Sequence, residues 1–436
     1  MLSSKFCGLF ISLWIVTGIT QAQIDVDFTP IPPSYDINSP NPLYALDINY
    51  DDIDLNRQAF HIFLPDTTGT YPLVVFIHGG GFTGGSRDVV LQDPKRIADI
   101  KYFLERGVAF ASVGYRVLPT VGADEDGVIK CLNDSKRALQ FIRHFSDDLH
   151  IIPERVAMIG TSAGSGTGLW LATHPDMAEP DSPDPVLRAS TRVCAAAPTG
   201  GQATYDIYKW ETEVFANFDG QGSNFTLDSM EAILGFERLS NFYGGLDSIY
   251  QIVHDPFLIQ YRQDVDMLFH MSDDDPPLYI VNASNAIHPS QDLFHHSFHG
   301  REIYNQALAA GIEEVVAEIQ ALDINTTQGE SRNEFILRQL SNCSLSTSAE
   351  IVNAVDENEL IVFPNPVRHQ LNVRVSPYPI ERLELYTITG QAVRSQLLGR
   401  NSLTTSLNLT DIPQGTYMLL VVDENGYRQV KRIVIE

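Results

Sequence analysis

Residues 155–166 read Arg-Val-Ala-Met-Ile-Gly-Thr-Ser-Ala-Gly-Ser-Gly, an apolar run that breaks into a glycine-flanked serine and restarts as a small-residue helix. A serine at the apex of a strand-to-helix turn needs small neighbours two residues before and two after, here Gly160 and Gly164, because larger side chains would collide as the backbone doubles back. Such a turn lifts the Ser162 hydroxyl above a sheet. It also aims the amide N–H of Ala163 at any bound carbonyl oxygen, since a helix N-terminus offers unpaired donors there. The pattern G-x-S-x-G is weak alone; the buried-strand run before it and the helix continuing through Leu169, Trp170, Leu171 and Ala172 behind it give it context.

A second glycine cluster lies upstream. Residues 72–77 form a continuous apolar run, as expected of a central strand buried on both faces, and run directly into His78-Gly79-Gly80-Gly81-Phe82-Thr83-Gly84-Gly85. Consecutive glycines let a backbone approach a substrate closely and turn its N–H groups inward, which is what a site for a tetrahedral oxyanion requires. Taken alone this is a flexible turn as readily as a site. Followed roughly 80 residues later by the serine elbow, it becomes one half of a pair. Between the two, a helix is expected over residues 94–105, a strand over 108–113 and a helix over 128–145, with Cys131, Leu132, Ser135, Ala138, Leu139 and Ile142 on one face. Strands alternating with helices imply a mostly parallel, doubly wound α/β sheet, whose ligands collect at the carboxyl ends of the strands.

These blocks, residues 72–82, 108–117, 134–143 and 154–164, resemble the α/β-hydrolase esterases and lipases that carry a His-Gly-Gly-Gly oxyanion loop, and the likeness spans roughly residues 44–340. The resemblance implies a serine hydrolase acting on carboxylic esters through an acyl-enzyme, with Ser162 as nucleophile and Gly80, Gly81 and Ala163 as oxyanion donors. It also implies that the insertion at 199–275, with its scattered aromatics, caps the site. Those aromatics either line an acyl pocket or form the insertion's own small core.

The sequence departs from that family where the acid and base would stand. Past the strand at 277–281 comes Asn282-Ala283-Ser284-Asn285, and residues 322–329 hold no histidine; none occurs between His299 and His369. A serine needs a base, and His288, Asp292, His295, His296 and His299 crowd the loop after residue 281. Asp292 could orient either His295 or His296, and His296 is the favoured base. Two other readings compete: a metal held by Asp292, His295 and His299, and a non-catalytic binding protein of the same fold without a complete triad. No cofactor or metal is expected.

The remaining features concern export. Lys5, an apolar stretch over residues 9–16 and Thr20-Gln21-Ala22 predict a cleaved signal peptide at residues 1–22, and no later segment is long and apolar enough to span a membrane. Of the cysteines, Cys7 would leave with the signal. Cys131 and Cys194 read as buried, with a disulfide from Cys343 to one of them left open. Beyond a polar linker at 343–359, residues 360–436 alternate as short strands over 370–375, 381–387, 402–407, 417–422 and 430–435, the pattern of a small all-β sandwich. Phe363-Pro364-Asn365-Pro366, Leu385-Tyr386-Thr387-Ile388-Thr389-Gly390-Gln391, Ile412-Pro413-Gln414-Gly415-Thr416-Tyr417 and Val430-Lys431-Arg432 resemble the C-terminal sorting domain of the bacterial type IX secretion system. The resemblance implies that secretion machinery as a partner and a secreted or cell-surface location. The expected division is therefore signal peptide, α/β-hydrolase domain over 23–342, linker and sorting domain. The formal charge of −26 argues against a nucleic-acid partner, which calls for clustered Lys and Arg. An exported enzyme of this kind suits a small-molecule or polysaccharide-linked ester.

Overall fold

The computed structural model describes residues 23–216, 225–288, 292–343, 360–363, 367, 369–375, 379–387, 391–398, 404–423 and 428–435. The expected signal peptide and all but the first residue of the expected linker lie outside them. Strands β1 (Thr29–Pro30), β2 (Leu43–Asn49), β3 (Ala59–Leu64), β4 (Tyr71–Ile77), β5 (Ala109–Val113), β6 (Ile151–Thr161), β7 (Ala195–Thr199), β8 (Leu278–Asn282), β9 (Val315–Ile319) and β10 (Ile324–Asn325) form a ten-stranded sheet. Its order is β1-β2-β3-β5-β4-β6-β7-β8-β9-β10. The central run from β5 through β9 pairs in parallel, and both margins are antiparallel.

The central strands are apolar on both sides because both sides are covered. In β4, Leu73, Val75 and Ile77 face one core while Val74 and Phe76 face the other. Successive side chains of a strand point to opposite faces, so a continuous apolar run is what two buried faces demand. In β6, Val156 and Met158 join the first core, Ala157 and Ile159 the second. Helices α1 (Pro94–Leu104), α2 (Ile129–His144) and α3 (Ala163–Thr173) follow β4, β5 and β6. α2 and α3 fill the first core with Leu132, Leu139, Leu169 and Trp170, and α1 fills the second with Ile100 and Phe103. Burying each aromatic of this size contributes on the order of 1.5–3 kcal/mol.

Between β7 and β8 the chain makes the expected insertion. It contains α4 (Leu227–Leu234), α5 (Phe236–Phe242) and α6 (Pro256–Asp264). Its Trp210, Phe215, Phe225 and Tyr243 are buried and join the first core. After β8 come α7 (Ser297–Ala310) and, after β10, α8 (Arg332–Asn342), which opens with a capping box between Ser331 and Glu334. Phe335 and Ile336 of α8 complete the second core. Cys343, directly after α8, forms a disulfide with Cys194, just before β7, across 149 residues of sequence; Cys131 is free and buried.

Residues beyond 360 form two antiparallel sheets, β11 (Leu360–Phe363), β12 (Gln370–Val375) and β15 (Thr404–Asn408) in the order β11-β12-β15, and β13 (Ile380–Thr387), β14 (Ala392–Leu397), β16 (Gly415–Asp423) and β17 (Arg428–Ile435) in the order β14-β13-β16-β17. Leu371, Val373 and Leu407 of one sheet and Leu383, Leu385, Leu419, Val421 and Ile433 of the other share one core. The sequence pattern omits β11 and β14. β14 is an edge strand with no buried residue, so it carries too little apolar alternation to be read. Among the described residues no helix is long and apolar enough to cross a membrane.

Candidate active site

At the junction of β6 and α3, Ser162 sits at φ 55° and ψ −122°, a conformation that is costly for a residue with a Cβ and is held by its surroundings. Its neighbours show why the glycines are required. A Cβ on Gly160 would lie 2.4 Å from the Gly164 carbonyl oxygen, and one on Gly164 would lie 2.1 Å from the carbonyl oxygen of Ile77. The elbow can therefore pack against the end of β4 only without side chains at those points. The Ser162 N–H donates to the Thr199 carbonyl at 3.1 Å, tying the elbow to the end of β7.

The glycine loop after β4 packs over the elbow. Gly80 takes a φ of 123°, and a Cβ there would meet the Gly84 carbonyl at 2.2 Å, so the loop closes on itself only with glycine at this point. Thr83 N–H donates to the Gly80 carbonyl at 3.1 Å. His78 is buried beneath the loop, stacked on Tyr115 with ring centroids 4.3 Å apart, and Tyr115 Oη donates to the His78 carbonyl at 2.9 Å. Burial pushes the His78 imidazole down to about 4, so it stays neutral and acts as a packing support.

The base loop differs from expectation. His295, not His296, meets the serine: its Nε2 is 2.9 Å from Ser162 Oγ, and its Nδ1 is 3.2 Å from Asp292 Oδ1. His296 is the N-cap of α7. Its Nδ1 accepts the Phe298 N–H at 3.1 Å, and its ring is buried against Phe215 and Phe298. A histidine spent on capping a helix and packed between aromatics cannot also reach the elbow. The placement of His295 comes from a turn: Asp292 Oδ1 accepts the His295 N–H at 3.1 Å, folding the ring back over the same carboxylate. Asn282, at the end of β8, then fixes the loop by donating from Nδ2 to the carbonyls of His295 and His296, both at 3.1 Å. Sequence reasoning missed this residue, although an amide at the strand end where the resembled family has its acid was a signal that something else was held there.

The structure thus brings Ser162, Gly80, Gly81, Ala163 and His295 to one cleft of about 490 Å³, with Asp292 behind His295. Its walls are largely apolar and come from the insertion and its neighbours: Ile207, Trp210, Leu234, Leu239, Phe242 and Phe294, with Arg238 as the cationic exception. Of the insertion's aromatics, Phe215, Phe225 and Tyr243 are therefore core residues, while Trp210 and Phe242 line the cleft. Tyr205 donates its hydroxyl to the Ala163 carbonyl at 2.6 Å, and Gln202 Nε2 donates to the Phe294 carbonyl at 2.8 Å, so the polar groups of the wall are largely consumed in positioning it. The metal reading of Asp292, His295 and His299 does not fit. His299 Nδ1 accepts the Ala203 N–H at 3.2 Å and Nε2 lies 3.1 Å from the Leu293 carbonyl, leaving neither nitrogen for an ion. Elsewhere among the described residues, His174 with Asp264 and His270, and Asp47 with His61 and Asp88, cluster at ligand-like spacing. Neither group lines the cleft.

Two family models match separate parts of the chain. Residues 60–206 match the family model BD-FAE, and residues 361–436 match the secretion system C-terminal sorting domain. The first match includes the glycine loop and the elbow and stops before the loop that holds His295. No curated protein sequence matches the chain. Among solved structures, it is similar to a truncated carbohydrate esterase from gut microbiota, at 14% identity over 68% of this chain and 96% of that one, with a TM-score of 0.47. It is also similar to an acetyl ester-xyloside bifunctional hydrolase from Caldicellulosiruptor lactoaceticus, at 17% identity over 73% and 97% with a TM-score of 0.42. A third is an inhibited esterase B from Lactobacillus rhamnosis, at 17% identity over 71% and 90% with a TM-score of 0.44. Residues 60–206 are therefore similar to the BD-FAE domain of the α/β-hydrolase esterases, and residues 361–436 carry the type IX secretion sorting domain, which marks proteins for export to the cell surface or beyond.

Proposed function

We propose that the protein is an exported carboxylic ester hydrolase working by acyl-enzyme chemistry at Ser162. The observation that carries this reading is the chain of contacts from Ser162 Oγ to His295 Nε2 at 2.9 Å and from His295 Nδ1 to Asp292 Oδ1 at 3.2 Å, set at the carboxyl ends of β6 and β8. With the proton on Nδ1, beside the Asp292 carboxylate, Nε2 presents its lone pair to the serine hydroxyl. His295 takes the proton as Ser162 attacks the ester carbonyl. The tetrahedral oxyanion is held by backbone N–H groups at Gly80, Gly81 and Ala163. His295 then returns the proton to the leaving alcohol, and water repeats the sequence on the acyl-enzyme to release the acid.

The same proposal divides the chain into a signal peptide at 1–22, a hydrolase domain at 23–342 bearing the 199–275 insertion, a linker at 343–359 and the sorting domain at 360–436. The apolar cleft and the destination outside the cell favour a small-molecule ester or an ester substituent on an extracellular polysaccharide. The alternative of a binding protein without a base loses its motive, since a histidine stands beside the serine. The test is labelling of the purified chain by a fluorophosphonate together with turnover of short p-nitrophenyl esters. Both are expected; a protein that neither labels nor turns over any ester length would be a binding protein.

A further inference from the structure

Several part-buried arginines of this chain are spent on carboxylates. Arg116 lies 2.7 Å from Asp134, Arg262 lies 2.6 Å from Asp206, and Arg332 and Arg338 are paired with Asp99 and with Glu314 and Glu330. Carboxylates are abundant, with 55 Asp and Glu against 29 Lys and Arg. Yet among the described residues Arg238 has no carboxylate partner. Its Nη2 makes one long contact, 3.5 Å to the Gly81 carbonyl, and its guanidinium lies over the Phe294 ring, 4.7 Å from the centroid. A guanidinium has five N–H donors in a planar fork, so most of that capacity is unspent. Burial alone lowers its pKa, with no neighbouring charge in compensation.

Its position gives those donors a direction. A Cβ on Gly81 would lie 2.6 Å from Nη2, so the fork rests on the bare backbone of the loop that carries the expected oxyanion donors. Arg238 lines the Ser162 cleft on one side and an adjoining hollow of about 310 Å³ on the other. On the hollow side Glu237 supplies a negative charge, with its Oε1 accepting the Gly122 N–H at 3.0 Å. On the cleft side no acid among the described residues lines the wall. A half-desolvated cation facing a largely apolar cleft without such a partner is an incomplete ion pair, and the planar fork matches a carboxylate in bidentate geometry.

We propose that Arg238 is an anion receptor inside the cleft and that the esters processed at Ser162 carry a carboxylate in their acyl or their alcohol half. This rests on the esterase reading for the reaction and on the geometry of Arg238 for the charge. The guanidinium fixes the substrate beside the oxyanion loop, and Phe294 holds the guanidinium plane.

Two matched pairs of probes distinguish the halves: mono-4-nitrophenyl glutarate against 4-nitrophenyl hexanoate, and 3-acetoxybenzoate against 3-acetoxybenzamide. In the full chain, kcat/KM is expected to favour the charged member of at least one pair by roughly tenfold or more, chiefly through KM, and the preference should shrink as salt rises. Arg238→Gln should erase that ratio and Arg238→Lys should keep part of it, with the folded state of each variant checked by circular dichroism and thermal melting. Titration of 3-acetoxybenzoate, mono-methyl glutarate and their neutral counterparts into Ser162→Ala reads the same preference without turnover. Absence of any preference in both turnover and titration overturns the proposal, as does an Arg238→Gln variant that weakens charged and neutral members equally, which would place Arg238 in oxyanion stabilisation or packing. Wild type that turns over none of the four esters but whose Ser162→Ala form still binds the charged probes through Arg238 would sink the esterase reading and uphold the receptor.

Discussion

Replacing Asn282 by Asp would put a carboxylate where the resembled hydrolases hold their catalytic acid, and it is expected to do harm. Asn282 is buried at the end of β8. Its Oδ1 accepts the Ser284 N–H at 3.0 Å, a bond that an aspartate would keep. Its Nδ2 holds the carbonyls of His295 and His296 at 3.1 Å each, and both bonds would be lost. The His296 carbonyl keeps the His299 N–H at 3.0 Å, whereas the His295 carbonyl loses its side-chain donor, so about 1–3 kcal/mol of stability goes with the change. An ionised carboxylate would also face two carbonyl dipoles of its own sign; a protonated one restores a single donor for two acceptors. The His295 backbone is then unpinned, and a shift of ~1 Å at a catalytic group can cost on the order of 100-fold in rate. Urea unfolding and kcat/KM on p-nitrophenyl acetate measure both effects in one preparation. Undiminished stability and activity would refute the role given to Asn282. Rescue of an inactive Asp292→Ala by Asn282→Asp would show that the acid works from the strand end instead.

Two further outcomes follow from the scaffold. The Cys194–Cys343 disulfide closes a loop spanning 149 residues of sequence, for which chain entropy alone predicts up to about 5 kcal/mol; Cys343→Ser should lower the urea-unfolding free energy by roughly 2–5 kcal/mol, and an unchanged midpoint would mean the bond constrains little. Stability should also fall on acidification. Burial pushes His78 and His270 down to about 4 and His299 to about 3, so between the ordinary histidine value and those values the unfolded chain binds protons that the native chain does not, at about 1.4 kcal/mol per pH unit for each group. Asp275, raised to about 6 by burial, and Asp206, also raised by burial, oppose this by holding protons the unfolded chain releases, but they stand against these three imidazoles and against His61, His144 and His296, which burial also lowers. Urea titrations from pH 7 to 4.5 should therefore show declining stability, and a flat or rising profile would contradict the burial of these imidazoles.

Much of the hydrolase fold was legible because its signals are local. A doubly buried strand must be apolar throughout, as β4 and β6 are, and the elbow and glycine loop need residues that no other conformation requires. The base was ambiguous for a physical reason. His295 and His296 are adjacent, both within reach of Asp292 in sequence, and the choice between them turns on where α7 begins. That boundary makes His296 an N-cap and leaves His295 on the preceding turn. Asn282 and Arg238 act through contacts with residues distant in sequence, and neither type announces such a role in a local pattern. The edge strand β14 was missed because a strand with no buried residue lacks the alternation by which strands are read.

The central claim is that Ser162, His295 and Asp292 act as one catalytic unit, and the most direct measurement compares ester turnover and fluorophosphonate labelling in wild type, Ser162→Ala, His295→Ala and His296→Ala. Ser162→Ala should abolish labelling, and both it and His295→Ala should lower kcat/KM by at least roughly 10³-fold. His296→Ala removes a helix cap worth about 1 kcal/mol and should retain activity within roughly tenfold of wild type. Loss of turnover in His296→Ala with full activity in His295→Ala would contradict the account at its centre.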